Sequence, residues 1–450
     1  MKPIRTLKIS ISGVRGVIGD SLLPPLLTRF AASFGTYLNS GEIVVGRDTR
    51  TSGEMVKHAV FAGLMSTGCQ VIDLDICPVP TVQHMVRELG ARGGVAITAS
   101  HNPVEWNALK LIRSDGCFLN SYQAEELLSI YHQGDYKKAR EHEIRQVSKN
   151  GQGIQSHLDR ILENYGPVKR NGRKFKVAID CCNGAGSLMT PRLLESLGCD
   201  VTAINITPNG IFPHPPEPVP QHLTDLCTLV KETGADVGFA QDADADRLAI
   251  VSEEGQPVGE ENTLALAVKF VLSHEQGTVV TNLSTTRAID DIAQAYHSRV
   301  VRTRIGEVNV TEAMKREKAI IGGEGNGGVI FPKINFARDS MVGIVLVLHY
   351  MATTRMSLST LINALPKYYS VKQTVPCPSF QLRSILKQLR ETYSNDELDH
   401  TDGLKIIRSD SWAHVRSSNT EPIVRVVVEA KSEDAARAWA KEIISAIGNR

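Results

Sequence analysis

The chain has 450 residues, enough for several hydrophobic cores, and more than two domains are expected. Charged residues make up 22% of it and the net charge is +1, so overall charge gives no case for a nucleic-acid or membrane partner. No run approaches the ~20 apolar residues of a membrane span. The N-terminal MKPIRTLKISISG lacks the apolar core of a signal peptide, so none is expected. The eight cysteines are scattered with no zinc or CxxC spacing, which reads as reduced thiols in a cytoplasmic protein.

Three stretches follow one plan, a β-branched strand, a polar or glycine turn, an amphipathic helix and a second strand. The first is EIVVGRDTRTSG (42–53), a helix to Gly68, then CQVIDLD (69–75). The second is KFKVAIDCCNGAGS (174–187), a helix to Gly198, then CDVTAIN (199–205). The third is GTVVTNLSTTRAID (277–290), a helix to His297, then SRVVRT (298–303). Each is a βαβ unit, so parallel strands with right-handed crossovers are predicted in three similar α/β domains. After Pro366 the pattern changes to strand 369–375, helix 380–394, strands 404–407, 412–416 and 423–430, and helix 432–447. That reads as a smaller α+β domain with an antiparallel sheet. The expected domains are 1–152, 153–254, 255–366 and 367–450.

Six stretches carry candidate chemistry. In ISGVRGVIG (11–19) Arg15 sits between glycines, and in GRDTRTSG (46–53) Arg47 and Arg50 sit at a strand-to-helix turn. Either group could reach a phosphate; for Arg47 and Arg50, pairing with Asp48 or other carboxylates to lock the turn is preferred. ITASHNP (97–103) sets Ser100 beside His101 just after an apolar strand, with Lys110 ten residues on. A serine there is either a turn cap or a nucleophile, and no GxSxG elbow supports a hydrolase triad. In GFAQDADADRLAIV (238–251), Asp242, Asp244 and Asp246 alternate between strand-like runs. Three carboxylates so close repel unless a hard cation sits among them, and oxygen ligands favour Mg²⁺, Mn²⁺ or Ca²⁺. An EF-hand is rejected because its glycine position holds Arg247 and the flanks are strand-like. Arg247 directly after the carboxylates suits a site where metal and arginine share a phosphoryl group. Phospho-Ser100 beside such a site is then the better reading of that serine.

IGGEGNGGVIFP (321–332) reads as a tight glycine loop, flexible or close to a ligand, from which Glu324 and Asn326 could meet sugar hydroxyls. HVRSSNTEPIVRV (414–426) crowds Arg416, Ser417, Ser418, Asn419 and Thr420 between two strands, either a phosphate clamp or a polar hairpin turn. Glu307, in TRIGEVNV (303–310), reads as part of a plain turn after the third βαβ.

Taken together, ITASHNP, DADADR, GGEGNGG and RSSNTEP resemble, in order and spacing, the motifs of the α-D-phosphohexomutases, over essentially the whole chain. The resemblance implies three similar α/β domains with mixed sheets plus a smaller C-terminal α+β domain around a central cleft. It implies an intramolecular phosphotransferase that interconverts hexose 6- and 1-phosphates through a 1,6-bisphosphate. Ser100 then resembles the phosphorylated serine. Asp242, Asp244 and Asp246 resemble Mg²⁺ ligands, with a phospho-Ser100 oxygen completing the set. Arg247 and Arg15 resemble arginines of the transfer centre, and His101 and Lys110 match positions of proton transfer. Glu324 and Asn326 fall in the sugar-recognition loop, and Arg416, Ser418, Asn419 and Thr420 in the clamp on the idle phosphate. A hinge near Leu365–Tyr369 is expected to let the last domain open.

The pattern departs from many phosphomannomutase/phosphoglucomutase members. Asn326 replaces a serine, Gly328 and Glu307 replace histidines, and Ala243 and Ala245 replace glycines. These features resemble archaeal-type phosphoglucosamine mutases, and the extra carboxylate Glu307 suits an amino sugar. The alternatives are a phosphomannomutase/phosphoglucomutase or a metal-dependent sugar phosphatase. The expected partner is a small sugar phosphate, with no nucleic acid and no membrane, and monomer and homodimer both remain open.

Overall fold

The computed structural model describes residues 6–10, 13–169, 171–377, 379–417 and 423–448. The chain divides into two compact units, Met1–Phe270 with Asn326–Asn363, and Val271–Gly325 with Ala364–Arg450. No described helix is long and apolar enough to cross a membrane.

The first unit holds two sheets. In the larger, strand Gly41–Arg47 runs parallel to Cys69–Ile76 on one side and Gly93–Ile97 on the other. Ile43, Val44 and Val45 are wholly buried, as befits a parallel strand covered on both faces. Gly93–Ile97 then pairs antiparallel with Trp106–Arg113, which in turn pairs antiparallel with Gly13–Val17. Helices Pro24–Tyr37 and Gly53–Ser66 contribute Phe30, Phe34, Val60 and Leu64 to the core against Ile43, Val45, Val95 and Ile97. The second sheet places Lys176–Asp180 parallel to Asp200–Ile204 and to Val237–Gln241. Val237–Gln241 turns back antiparallel into Leu248–Ser252. Both sheets are therefore mixed, as expected.

Helix Ser340–Thr354 is apolar all round and buried along nearly its whole length. Its N-terminus lies under the turn between Val237–Gln241 and Leu248–Ser252. Ser340 Oγ donates to Ala245 O and accepts from Gln241 Nε2, both at 2.6 Å.

In the second unit, strand Thr278–Asn282 lies parallel to both Arg299–Thr303 and Ile321–Glu324, completing the third βαβ. The C-terminal sheet is antiparallel, in the order Tyr369–Pro376, Ile423–Ala430, Trp412–Ser417, Leu404–Ile407 and Glu397–Asp399. Its four longer strands match the sequence reading. Glu397–Asp399 has no signature in the sequence, because three residues are too few to show a period.

This sheet is joined to the third βαβ by buried and part-buried polar contacts. Lys405 Nζ donates to Leu283 O at 2.6 Å, and Arg287 N to Glu429 Oε1 at 2.8 Å. Ser284 Oγ lies 2.8 Å from His414 Nδ1. The expected hinge segment is itself tied down. Tyr368 OH donates to Asp291 Oδ2 at 2.7 Å, and Lys431 Nζ sits 3.8 Å above the Tyr368 ring. Opening at Leu365–Tyr369 would have to break these contacts. Residues 326–363, assigned from sequence to the third domain, cluster with the first unit.

Candidate active site

Strand Gly93–Ile97 delivers Thr98–Pro103 to the carboxyl end of the first sheet, where the loops of α/β folds place their ligands. Ser100 is buried and takes a left-handed φ of 52°. That costs a side-chain-bearing residue on the order of 1–3 kcal/mol, so the surroundings must hold it. Arg50 does so. Its Nη2 donates to Ser100 O and Asn102 O, each at 2.7 Å, and its Nη1 to Pro103 O at 2.6 Å. Its Nε pairs with Asp48 Oδ2 at 3.0 Å, both side chains fully buried. The expected Arg50–Asp48 lock is therefore present, and the same guanidinium also clamps the serine loop. Arg47 pairs with Asp75 and Glu54 instead. Burial pushes the Asp48 carboxyl up, with Arg50 and Thr98 opposing that shift. Thr98 Oγ1 lies 2.6 Å from Asp48 Oδ2 and 3.2 Å from Asp244 Oδ2, linking this lock to the acidic turn. Arg15 Nη1 donates to Asn102 Oδ1 at 2.7 Å.

The acidic turn brings Asp242, Asp244 and Asp246 together, one oxygen of each lying within 4.8 Å of the others, all three residues buried. Ala245 at φ 56° turns the chain, and the backbone N–H groups of Asp246 and Arg247 both donate to Asp242 Oδ1 at 3.1 Å. Ser100 Oγ donates to Asp242 Oδ2 at 2.8 Å, so the serine and the triad form one site. Lys110 Nζ donates to Asp244 Oδ2 at 2.7 Å and reaches Asp246 Oδ2 at 3.4 Å. Arg338, absent from the sequence reading, donates from Nη2 to Asp246 Oδ2 at 2.6 Å. Arg247 Nη1 lies 3.6 Å from Glu217.

The electrostatics sort these groups. Burial, then Asp244 and Asp246, push Asp242 well above the usual carboxylate range. Burial would raise Asp246 too, but Arg338, Lys110 and Arg247 outweigh it and hold it well below. Lys110 is buried, yet Asp244 and Asp246 raise its ammonium, which stays charged. Burial, then Arg247 and Arg15, push His101 down to about 2, so its imidazole is neutral. Its Nδ1 lies 3.4 Å from Ser100 Oγ.

The donor set fits a hard divalent cation. It is all oxygen, and Asp244 Oδ1 and Asp246 Oδ1 are buried without a hydrogen-bond partner. Buried polar atoms are rarely left so unless something else serves them.

In the second unit Glu324 ends strand Ile321–Glu324, buried. Its Oε1 accepts from Asn282 Nδ2 and from Gly306 N, both at 2.9 Å. Gly325 N donates to Thr285 Oγ1 at 3.0 Å. Glu307 is not in a turn. It opens helix Glu307–Arg316 and is buried. Arg416 is the penultimate residue of strand Trp412–Ser417, where burial lowers its pKa and Glu324 is among the charges it feels. Ser418, Asn419 and Thr420 lie outside the described residues.

The expected glycine loop is mostly strand, Ile321–Glu324 and Gly328–Ile330. Two of its glycines are required by packing. A Cβ on Gly322 would stand 2.5 Å from Val280 O, and one on Gly327 2.3 Å from Leu248 O. Gly327 also has φ 86°. Gly327→Ala is expected to cost about 1–3 kcal/mol, read as a lower melting temperature in thermal denaturation. Within the first unit Asn326 Oδ1 accepts from Gly328 N at 3.2 Å, closing that turn.

Comparison with known proteins identifies the family. Four models of the phosphoglucomutase/phosphomannomutase family match in succession: α/β/α domain I over residues 7–138, domain II over 155–255, domain III over 260–369 and the C-terminal domain over 371–446. The fold and the matches define a phosphohexomutase, an isomerase that transfers phosphoryl groups intramolecularly. The chain belongs to the phosphoglucomutase/phosphomannomutase family, within the α-D-phosphohexomutase superfamily. It is 36% identical over 442 residues to a probable phosphoglucosamine mutase of Methanopyrus kandleri, covering 97% of this chain and 96% of the relative. It is 38% identical over 436 residues to a phosphoglucomutase/phosphomannomutase of Thermococcus kodakarensis, covering 95% of each. A family member from Burkholderia thailandensis shares the fold, with a TM-score of 0.86 at 24% identity over 98% of each chain.

Proposed function

We propose that the protein interconverts hexose 6- and 1-phosphates through phospho-Ser100 and a 1,6-bisphosphate, with glucosamine phosphate as substrate. The observation that carries the mechanism is Ser100 Oγ at 2.8 Å from Asp242, in a loop clamped by Arg50. Asp242, Asp244 and Asp246 would hold Mg²⁺, with a phospho-Ser100 oxygen beside them. When bound, the cation supplies charge stabilisation to a phosphoryl group.

In the transfer step the bond from phosphorus to Ser100 Oγ breaks as a bond to the sugar hydroxyl oxygen forms. The hydroxyl proton ends on Ser100 Oγ. His101, neutral and 3.4 Å from that oxygen, is placed to pass it, while Lys110 and Arg247 supply fixed positive charge. The bisphosphate then turns over, and Ser100 recovers the other phosphoryl group. Arg15 fixes Asn102 of the serine loop. Glu324 with Asn326 recognises the sugar, and Arg416 with Ser418, Asn419 and Thr420 holds the idle phosphate.

Glucosamine is favoured by the buried carboxylates Glu324 and Glu307, which suit an ammonium, and by several archaeal relatives at 34–36% identity named probable phosphoglucosamine mutase. The second reading, a phosphomannomutase/phosphoglucomutase, is favoured by the Thermococcus kodakarensis relative of that name. All eight cysteines are free, which accords with a cytoplasmic enzyme.

The test is a panel of glucosamine, glucose and mannose 6-phosphates with Mg²⁺ and a trace of the matching 1,6-bisphosphate. Glucosamine phosphate is expected to have the highest kcat/KM, and Glu307→Gln to lower that advantage. Preference for glucose or mannose phosphate would select the second reading. Release of inorganic phosphate without isomerisation would make the protein a phosphatase.

A further inference from the structure

Arg338 belongs to none of the motifs. It precedes Asp339, whose side chain caps helix Ser340–Thr354 by accepting from Met341 N at 2.9 Å. The helix cap thus fixes where the Arg338 side chain begins. Its far end donates to Asp246 Oδ2 at 2.6 Å, with both side chains almost wholly buried. Its stem crosses Gly328. A Cβ there would stand 2.3 Å from Arg338 Cδ and 3.0 Å from Cγ.

We propose that Arg338 is a positioning residue of the metal site, and that Gly328 is the gap that lets it reach Asp246. By anchoring Oδ2 it holds a carboxylate whose other oxygen, Oδ1, is buried without a hydrogen-bond partner. Groups that orient metal ligands in this way commonly set affinity. Without the anchor, the cation next to Asp246 Oδ2 is Lys110, at 3.4 Å. Closing that pair would draw the carboxylate out of the triad. The inference rests on the reading of the triad as a metal site.

A plain counter-charge role makes the opposite prediction. Deleting a cation beside three carboxylates would strengthen binding of a dication. The sign of the change therefore decides between the two.

The test is calorimetric titration of Mg²⁺ and of Mn²⁺ into the full chain, compared for wild type, Arg338→Met, Arg338→Lys and Gly328→Ala. Intact mass would verify equal phosphorylation, and circular dichroism would verify folding. Arg338→Met is expected to weaken both metals about 10- to 100-fold. Arg338→Lys, with one charged group in place of the fork, is expected to restore part of the loss. Gly328→Ala keeps every charge and has a backbone outside the left-handed region, yet must displace the Arg338 stem. It is expected to weaken binding in the same direction. Unchanged or tighter binding in Arg338→Met, or wild-type binding in Gly328→Ala, overturns the proposal while leaving the metal reading intact. A wild type that binds neither metal overturns both.

Discussion

Arg50→Met is expected to destabilise the protein by about 3–5 kcal/mol and to slow turnover at least about 100-fold in whatever fraction folds. The stability loss arises because Asp48 would remain buried without its ion-pair partner, both side chains being fully inaccessible in the native chain. Three carbonyl acceptors, of Ser100, Asn102 and Pro103, would lose their donor at the same time. The guanidinium also stacks 5.1 Å from the Phe212 ring centroid, so a loop of the second sheet would loosen with it. The rate loss has a separate origin. Ser100 holds a left-handed φ only because its loop is clamped, and relaxation to an ordinary conformation would move Oγ away from Asp242. Lysine is no substitute, since one ammonium cannot reproduce a fork serving four acceptors. Chemical denaturation measures the first effect. The second is measured as kcat at a temperature where circular dichroism shows the variant folded. Wild-type kcat in folded Arg50→Met would mean that the clamp is structural alone.

Ser100→Ala is expected to lower isomerase activity on the order of 10⁴-fold or more, since the neighbouring hydroxyl, Thr98 Oγ1, is buried and committed to Asp48 Oδ2 at 2.6 Å and does not replace a covalent carrier. Its stability cost is modest, about 1 kcal/mol for the bond to Asp242. The pair of variants therefore separates two kinds of failure. One loses the phosphoryl carrier in a sound fold, and the other keeps the carrier and loses its placement. Retained isomerisation in Ser100→Ala, under conditions that exclude wild-type contamination, would remove the serine from the mechanism.

How far the sequence could be read depended on the range of each cause. The three βαβ units and the four longer strands of the last sheet were legible because apolar periodicity is local. Asp242, Asp244 and Asp246 were legible because repulsion among three alternating carboxylates requires an explanation on its own. Arg338 was not, because its partner lies 92 residues away and no pattern surrounds it. Arg50 was half legible. Its pairing with Asp48 is two residues long, whereas its grip on Ser100 spans 50. Glu307 reads as a turn residue in the sequence because its helix starts without a side-chain cap, on Gly306 at φ 118°. The glycines of 321–332 invited a ligand, but Gly322 and Gly327 are dictated by neighbours distant in sequence.

The most direct test of phosphoryl shuttling is to follow the phosphate on Ser100. The enzyme is loaded with labelled phosphate on Ser100, freed of excess label and mixed with unlabelled hexose 6-phosphate and Mg²⁺. The label is expected to leave the protein and appear in hexose 1,6-bisphosphate, then in hexose 1- and 6-phosphate. Label that stays on the protein while the sugar isomerises, or that passes only to water, would contradict the shuttle.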